Sequence, residues 1–331
     1  MGDYDHERKT GIEAVSRACR VCRLVQSQLV SSETVIKADR SPVTAADFSS
    51  QAVISLALQK AFPGDPLAAE ESAADLLERG DELLTERIVH SVQFVHGRVG
   101  KDKILAALES GKHPGGPQGR FWVIDPIDGT QGFLRREQYA VSLALVEEGQ
   151  VVLGILGCPN YPLHWLEPEA ERGFLFVAVR GEGAVMRSLE EGWEKPIQVS
   201  DVEDPAGVVV CEPVESAHSS HEDARRISER LGIVIPPLRL DSQCKYAAVA
   251  RADASIYLRL PTRADYQEKI WDHAAGWIIL KEAGGEITGL RGDPLDFSRG
   301  RTLAANTGIV ATNGRIHARV LEAAAAVLGW A

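Results

Sequence analysis

Residues 121–130, Phe-Trp-Val-Ile-Asp-Pro-Ile-Asp-Gly-Thr, constrain this chain more than any other stretch. An apolar run with the look of a strand stops at two carboxylates, Asp125 and Asp128, with Pro126, Gly129 and Thr130 around them. Rigid scaffolds present chemistry at such strand ends. Two carboxylates so close repel unless positive charge lies between them. A hard divalent cation taking oxygen ligands meets that need, and Mg²⁺ with a phosphate is the commonest pairing. Asp-Pro and Asp-Gly also mark plain turns, so the rest of the chain has to separate a metal site from a hairpin corner.

The pattern around this stretch changes along the chain. Apolar positions at helical spacing (Ile12, Val15, Cys19, Cys22, Val25, Leu29) predict a helix over 10–30, and a second runs from Thr44 to Phe62, ended by Pro63-Gly64. Residues 72–112 read as helical and charged. Strands follow from 121 to about 189; the polar segment 190–207, with two prolines, marks a domain boundary, giving an N-terminal α+β domain (1–195) and a C-terminal α/β domain (196–331). The second half alternates strand and helix, with helices expected at 222–232, 244–251, 270–283 and 314–328.

Composition excludes several function classes. The net charge of -11 argues against binding nucleic acid non-specifically, which needs a basic face. No apolar run reaches the roughly 18–20 residues of a membrane span, and the polar, acidic start is unlike a signal peptide. Cys19-x-x-Cys22 lies in a helical pattern with no second pair to complete a zinc site; the five cysteines are expected to be reduced thiols. A soluble, cytoplasmic, monomeric protein is the expectation.

Two further acidic spots join the strand end. Glu70-Glu71 follows a Pro-Gly-Asp-Pro turn, and Asp272 opens the helix around Trp277, as an N-cap or first-turn residue. A Glu, two turn Asp residues and a helix-start Asp, from three parts of the chain, form a ligand set for two or three cations roughly 4 Å apart on a phosphate. The Ile127 carbonyl adds a neutral ligand, and the N–H groups of Gly129 and Thr130 face outward to hold phosphate oxygens. With no Cys-x5-Arg nucleophile, a cation-activated water is the simplest attacker. Asp47, expected as the N3 partner of a Thr44 N-cap, lies near a helix start where it can accept a proton.

The segments SPVTAADFSSQ (41–51), AAEES (68–72), 122–160 and 266–289 resemble the lithium-sensitive, Mg²⁺-dependent phosphomonoesterases of the inositol monophosphatase superfamily. Segments 240–261 and PLDFSRGRTL (294–303) are closer to its 3'(2'),5'-bisphosphate nucleotidase branch. The resemblance covers residues 10–328 and implies a layered α-β-α-β-α sandwich. It implies hydrolysis of the 3'-phosphate of adenosine 3',5'-bisphosphate to AMP, activity on phosphoadenylyl sulfate, inhibition by Li⁺, and roles in sulfate assimilation and salt tolerance. An inositol polyphosphate is the alternative substrate. It further implies Glu70, Asp125, the Ile127 carbonyl, Asp128 and Asp272 as metal ligands, and Asp47 with Thr130 as the pair that activates water. His221, preferred over His218, together with Ser242, Lys245 and Arg259, matches positions that hold the nucleotide. The chain departs from similar enzymes at Gln131, where many have Lys, and at Arg136, where many have Gly. His273 either orients Asp272 or closes its helix turn.

Overall fold

A computed structural model describes residues 3–28, 41–167, 169–215, 219–263 and 266–329, without the side chains of 41–43. Helix α1 (Asp5–Gln28) is followed by α2 (Ser41–Ala61), β1 (Leu67–Ala69), α3 (Ala73–Glu78), α4 (Glu82–His96) and α5 (Lys101–Glu109). The strand-rich region holds β2 (Arg120–Asp128), α6 (Thr130–Arg135), β3 (Ala140–Glu147), β4 (Gln150–Pro162), β5 (Arg172–Val179), β6 (Gly183–Ser188) and β7 (Glu194–Ile197). Then come β8 (Val210–Glu212), α7 (His221–Leu231), β9 (Leu238–Arg239), α8 (Cys244–Ala250), β10 (Ile256–Arg259), α9 (Ala274–Glu282), β11 (Glu286–Thr288), β12 (Ile309–Thr312) and α10 (His317–Leu328).

Strands β1 to β7 form one sheet in sequence order, and β11-β12-β10-β8-β9 form the other. Alternation along each strand assigns the layers, because successive side chains point to opposite faces. On β2, Trp122 and Ile124 pack with α1, α2 and α4, whereas Phe121 and Val123 join the core shared with α8 and α9. On β10, Tyr257 faces that same shared core, while Ile256 and Leu258 face α7 and α10. The result is helix, sheet, helix, sheet, helix, as the resemblance implied. Gly154 on β4 shows how closely α9 lies on the first sheet: a Cβ there would come 2.4 Å from Ile278 Cγ2 and 2.7 Å from the Ala275 carbonyl.

Several expectations shift. The charged region 72–112 is three helices, α3 to α5, two of them capped by Ser72 and Asp81 side chains. Helix α2 already includes Ser41, so Thr44 is an interior residue and no N-cap. The expected boundary at 195/196 falls inside β7, which pairs with β6; polar composition marks an exposed edge strand here. Asp272 closes a 3₁₀ turn (Ile270–Asp272) and His273 is the residue before α9, so Asp272 precedes the helix. All five cysteines are free and buried, and no described helix is long and apolar enough to cross a membrane.

Candidate active site

Pro126 has no N–H to give the sheet, and the β2–β3 ladder breaks there. Asp125 pairs with Ser142 but Asp128 with Ala140, a shift of one residue. In a regular strand, positions three apart face opposite sides. The bulge reverses that parity, so both carboxylates turn to one groove. The Ser50 hydroxyl, from α2, holds the bulge by donating to the Pro126 carbonyl at 2.9 Å. Because β1 runs parallel to β2 with Ala69 opposite Ile124, the next residue, Glu70, emerges beside Asp125 and hydrogen-bonds to it. Asp272 arrives from the other side, its turn tied down where Ser142 Oγ and Gln243 Nε2 donate to the Trp271 carbonyl at 3.4 and 2.8 Å.

The four carboxylates therefore meet. Asp125 is buried at the base, Asp128 and Asp272 are half-buried, and Glu70 reaches solvent. Burial first, then the charges of Glu70, Asp128 and Asp272, hold the Asp125 carboxyl well above the ordinary range. Asp272 is raised in the same way, by burial, then Asp128. Asp47 on α2 is raised by burial and then by Glu71 and Glu70, which places it on the same groove. Gln51, one turn further along α2, clamps Glu71 by accepting from its N–H at 2.9 Å and donating to its carbonyl at 2.6 Å. Glu71 itself is pushed up to about 7 by burial and by Glu70.

This donor set fits hard cations. Asp125 Oδ1 is buried without a hydrogen-bond partner, and buried acceptors are rarely left so. Like charges crowded at oxygen-only side chains are what a divalent ion neutralises. A second group, Glu268, Asp272 and His273, also lies within reach of one point, but Glu268 and His273 are already engaged. His273 Nε2 faces Glu268 Oε2 at 3.1 Å and its Nδ1 faces the Tyr246 hydroxyl at 2.8 Å, while Arg259 donates to Glu268 at 2.8 Å. Burial alone raises Glu268, yet His273 and Arg259 bring it down to about 2. Tyr246, His273 and Glu268 thus form a relay fixing Arg259, and Asp272 stands outside it.

A cleft of about 290 Å³ opens from the acidic groove, lined by Asp128, Gly129, Thr130, Ser242, Lys245, Arg259 and Asp272 among others. Gly129 takes φ 86° and passes so near Ser242 that a Cβ would come 2.9 Å from that residue's own. Ser242 itself has φ 64°, left-handed and rare without glycine, at the cleft wall. Lys245 is 4% exposed; burial lowers its pKa against the pull of Asp128 and Asp241, and its Nζ lies 5.3 Å over the Tyr257 ring. Gln131 lines the cleft as well. Arg136 adopts φ 59° at the end of α6, the left-handed conformation in which a Gly is free of strain.

His221 lies elsewhere. Ser220 caps α7, so His221 is its first residue; the ring sits 3.0 Å from the Pro213 carbonyl and lines a neighbouring cavity. Ser219 and Pro213 line the cleft instead, and His218 lies outside the described residues. Gln243 was missed by sequence reading although it lies in the quoted 240–261 segment. Its N–H donates to Asp128 Oδ2 at 2.6 Å and its side chain joins Trp271 to Gly276, linking both acidic turns. No spacing rule marks such a residue.

The inositol monophosphatase family model matches residues 4–328. The chain belongs to that family. Within the family it is similar to the 3'(2'),5'-bisphosphate nucleotidase of Emericella nidulans, 43% identical with 98% of this chain and 99% of that protein covered. It is likewise similar to that of Oryza sativa, 43% identical over 97% and 94%, and that of Schizosaccharomyces pombe, 41% over 98% and 96%. Among solved structures, the inositol monophosphatase of Anabaena sp. PCC 7120 superposes with a TM-score of 0.63 at 22% identity, covering 97% of this chain and 96% of that one. The likeness to that structure concerns the family fold, and the sequence relatives carry the branch.

Proposed function

We propose that this family member is a 3'(2'),5'-bisphosphate nucleotidase that removes the 3'-phosphate of adenosine 3',5'-bisphosphate, and that of phosphoadenylyl sulfate, with two or three Mg²⁺ ions at Glu70, Asp125, Asp128, Asp272 and the Ile127 carbonyl. The observation that carries this is the meeting of four carboxylates from three chain segments beside a cleft walled by Lys245 and Arg259. When bound, the ions stabilise phosphate charge and make a nearby water acidic. Asp47 accepts that water's proton from its place on the groove beside Glu70 and Glu71. Thr130, first residue of α6, orients the water with its hydroxyl, and the N–H groups of Gly129 and Thr130 hold phosphate oxygens. Lys245 and Arg259 face the second phosphate of the nucleotide, Arg259 with its guanidinium fixed by Glu268. Li⁺ inhibits by taking a Mg²⁺ position.

The test is phosphate release from adenosine 3',5'-bisphosphate with and without Mg²⁺, beside an inositol bisphosphate at equal concentration. Mg²⁺-dependent release that favours the nucleotide is expected. No release from the nucleotide, or preference for the inositol ester, sinks the reading.

A further inference from the structure

Arg301, in the segment between β11 and β12, sits far in sequence from every acid of the groove. Its guanidinium donates to three backbone carbonyls: Ala69 through Nη2, and Gly111 and His113 through Nη1 at 3.1 and 3.0 Å. Its Cζ lies 4.7 Å over the Trp271 ring. Ala69 immediately precedes Glu70, and Trp271 immediately precedes Asp272. Among the described residues no carboxylate pairs with Arg301. Burial without a counter-charge pulls its pKa below the usual arginine value.

We propose that Arg301 is a positioning residue that locks the chain before Glu70 to the chain before Asp272, holding the two carboxylates apart at the spacing the cations need. This rests on the metal-ligand reading above. Strand β1 is three residues long, lies between β2 and a single bridge to Lys112, where the Ala69 N–H donates to the Gly111 carbonyl at 2.9 Å and the His113 N–H to the Leu67 carbonyl at 2.8 Å, and leads into Glu70, which hydrogen-bonds to Asp125 beside the charge of Asp128. Arg301 holds the carbonyls of Ala69, Gly111 and His113 on both sides of that one-bridge edge, so it fixes the point from which Glu70 leaves β1. The planar guanidinium fork serves carbonyls from two chain segments and stacks on the indole at once. Lysine keeps the charge but offers neither the fork nor the flat face. The geometry also separates clamping from plain electrostatics. Removing a cation near a metal site strengthens metal binding if charge is all that matters, whereas removing a clamp weakens it.

R301K and R301M, with D125N as reference, are titrated with Mn²⁺, free ion being read by electron paramagnetic resonance. Far-UV circular dichroism and thermal melting in EDTA check that each variant is folded. The Mn²⁺ dissociation constant of R301K is expected to rise about 10- to 100-fold, as for residues that orient metal ligands. The Mg²⁺ needed for half-maximal turnover rises in step, while KM for adenosine 3',5'-bisphosphate at saturating Mg²⁺ stays within about twofold of the starting protein. R301K retains charge and bulk, so the outcome stands even where R301M does not fold. Wild-type Mn²⁺ affinity in R301K, with binding lost in D125N, overturns the clamp alone. Wild-type affinity in D125N as well overturns the metal-ligand reading beneath it.

Discussion

Asp47 occupies an unusual place for an acid: half-buried on a helix, facing Glu70 and Glu71, with its proton affinity raised by all three circumstances. Asp47→Asn keeps the shape of the side chain and removes its basicity. Turnover is expected to fall about 10²- to 10⁴-fold with the Mg²⁺ requirement little changed; turnover near wild type in steady-state assays removes Asp47 from the mechanism. Arg259 works differently. Glu268 is held ionised and in turn fixes the guanidinium at 2.8 Å, so the arginine is presented to the cleft in one orientation. Arg259→Ala is expected to raise KM for the bisphosphate about tenfold or more while changing KM for a simple sugar monophosphate far less. Equal changes on both substrates mean that Arg259 does not read the second phosphate. The strand end with its two carboxylates at the D-P-I-D-G-T corner was legible in the sequence; that Glu268, His273 and Tyr246 form a relay behind Arg259 was not, because their contacts depend on side-chain direction across three segments.

Among the elements, α9 is the plank between the sheets. Ile278 is 1% exposed on it and packs against the glycine gap at Gly154. Ile278→Ala leaves a void that rigid strands cannot close, and a loss of about 2–5 kcal/mol in urea unfolding is expected. Helix α10 begins at His317, whose ring bridges two strands of the second sheet: Nε2 to Thr288 Oγ1 and Nδ1 to Thr312 Oγ1, each at 3.0 Å. The Thr288 hydroxyl donates to the Gly289 carbonyl, so its oxygen accepts from Nε2–H, while Nδ1 meets the Thr312 hydroxyl. Burial lowers the His317 pKa; nearby, Glu286 raises it and Lys281 lowers it. With the folded value depressed, the unfolded chain binds the proton more readily, and stability is lost as pH falls through about 6.5. Thermal melts between about pH 7.5 and 5.5 are expected to show a shallower acid loss in His317→Gln than in the starting protein. An equal slope in both removes this histidine from the acid response. Helix α1 was legible from apolar spacing, whereas β1, three residues long, is too short for any period and exists because β2 offers it a parallel edge.

For the molecule as a whole, the proposed metal reading makes the crowded carboxylates a destabilising feature of the ion-free fold that bound divalent ions would relieve. Mg²⁺ at about a hundred times its dissociation constant is expected to add ~2.7 kcal/mol to unfolding stability. The accompanying rise in Tm should vanish in Asp125→Asn; an equal rise in the variant places the stabilising ions elsewhere. Local chemistry written along the chain settled much of this protein. Near-continuous apolar runs mark strands covered on both faces, Pro126 forces a break beside Asp125, and acids at strand and turn ends announce a charged corner. Assembly decided the rest. The boundary near 195 dissolved into β7, the start of α2 moved ahead of Thr44, and His221 turned to the Pro213 carbonyl. Periodicity reports which side of an element is dry, a property of neighbours in sequence. Which turn lies against which, and where a guanidinium such as that of Arg301 finds its carbonyls, depends on contacts between residues as much as 232 positions apart, visible only when the sheets have packed.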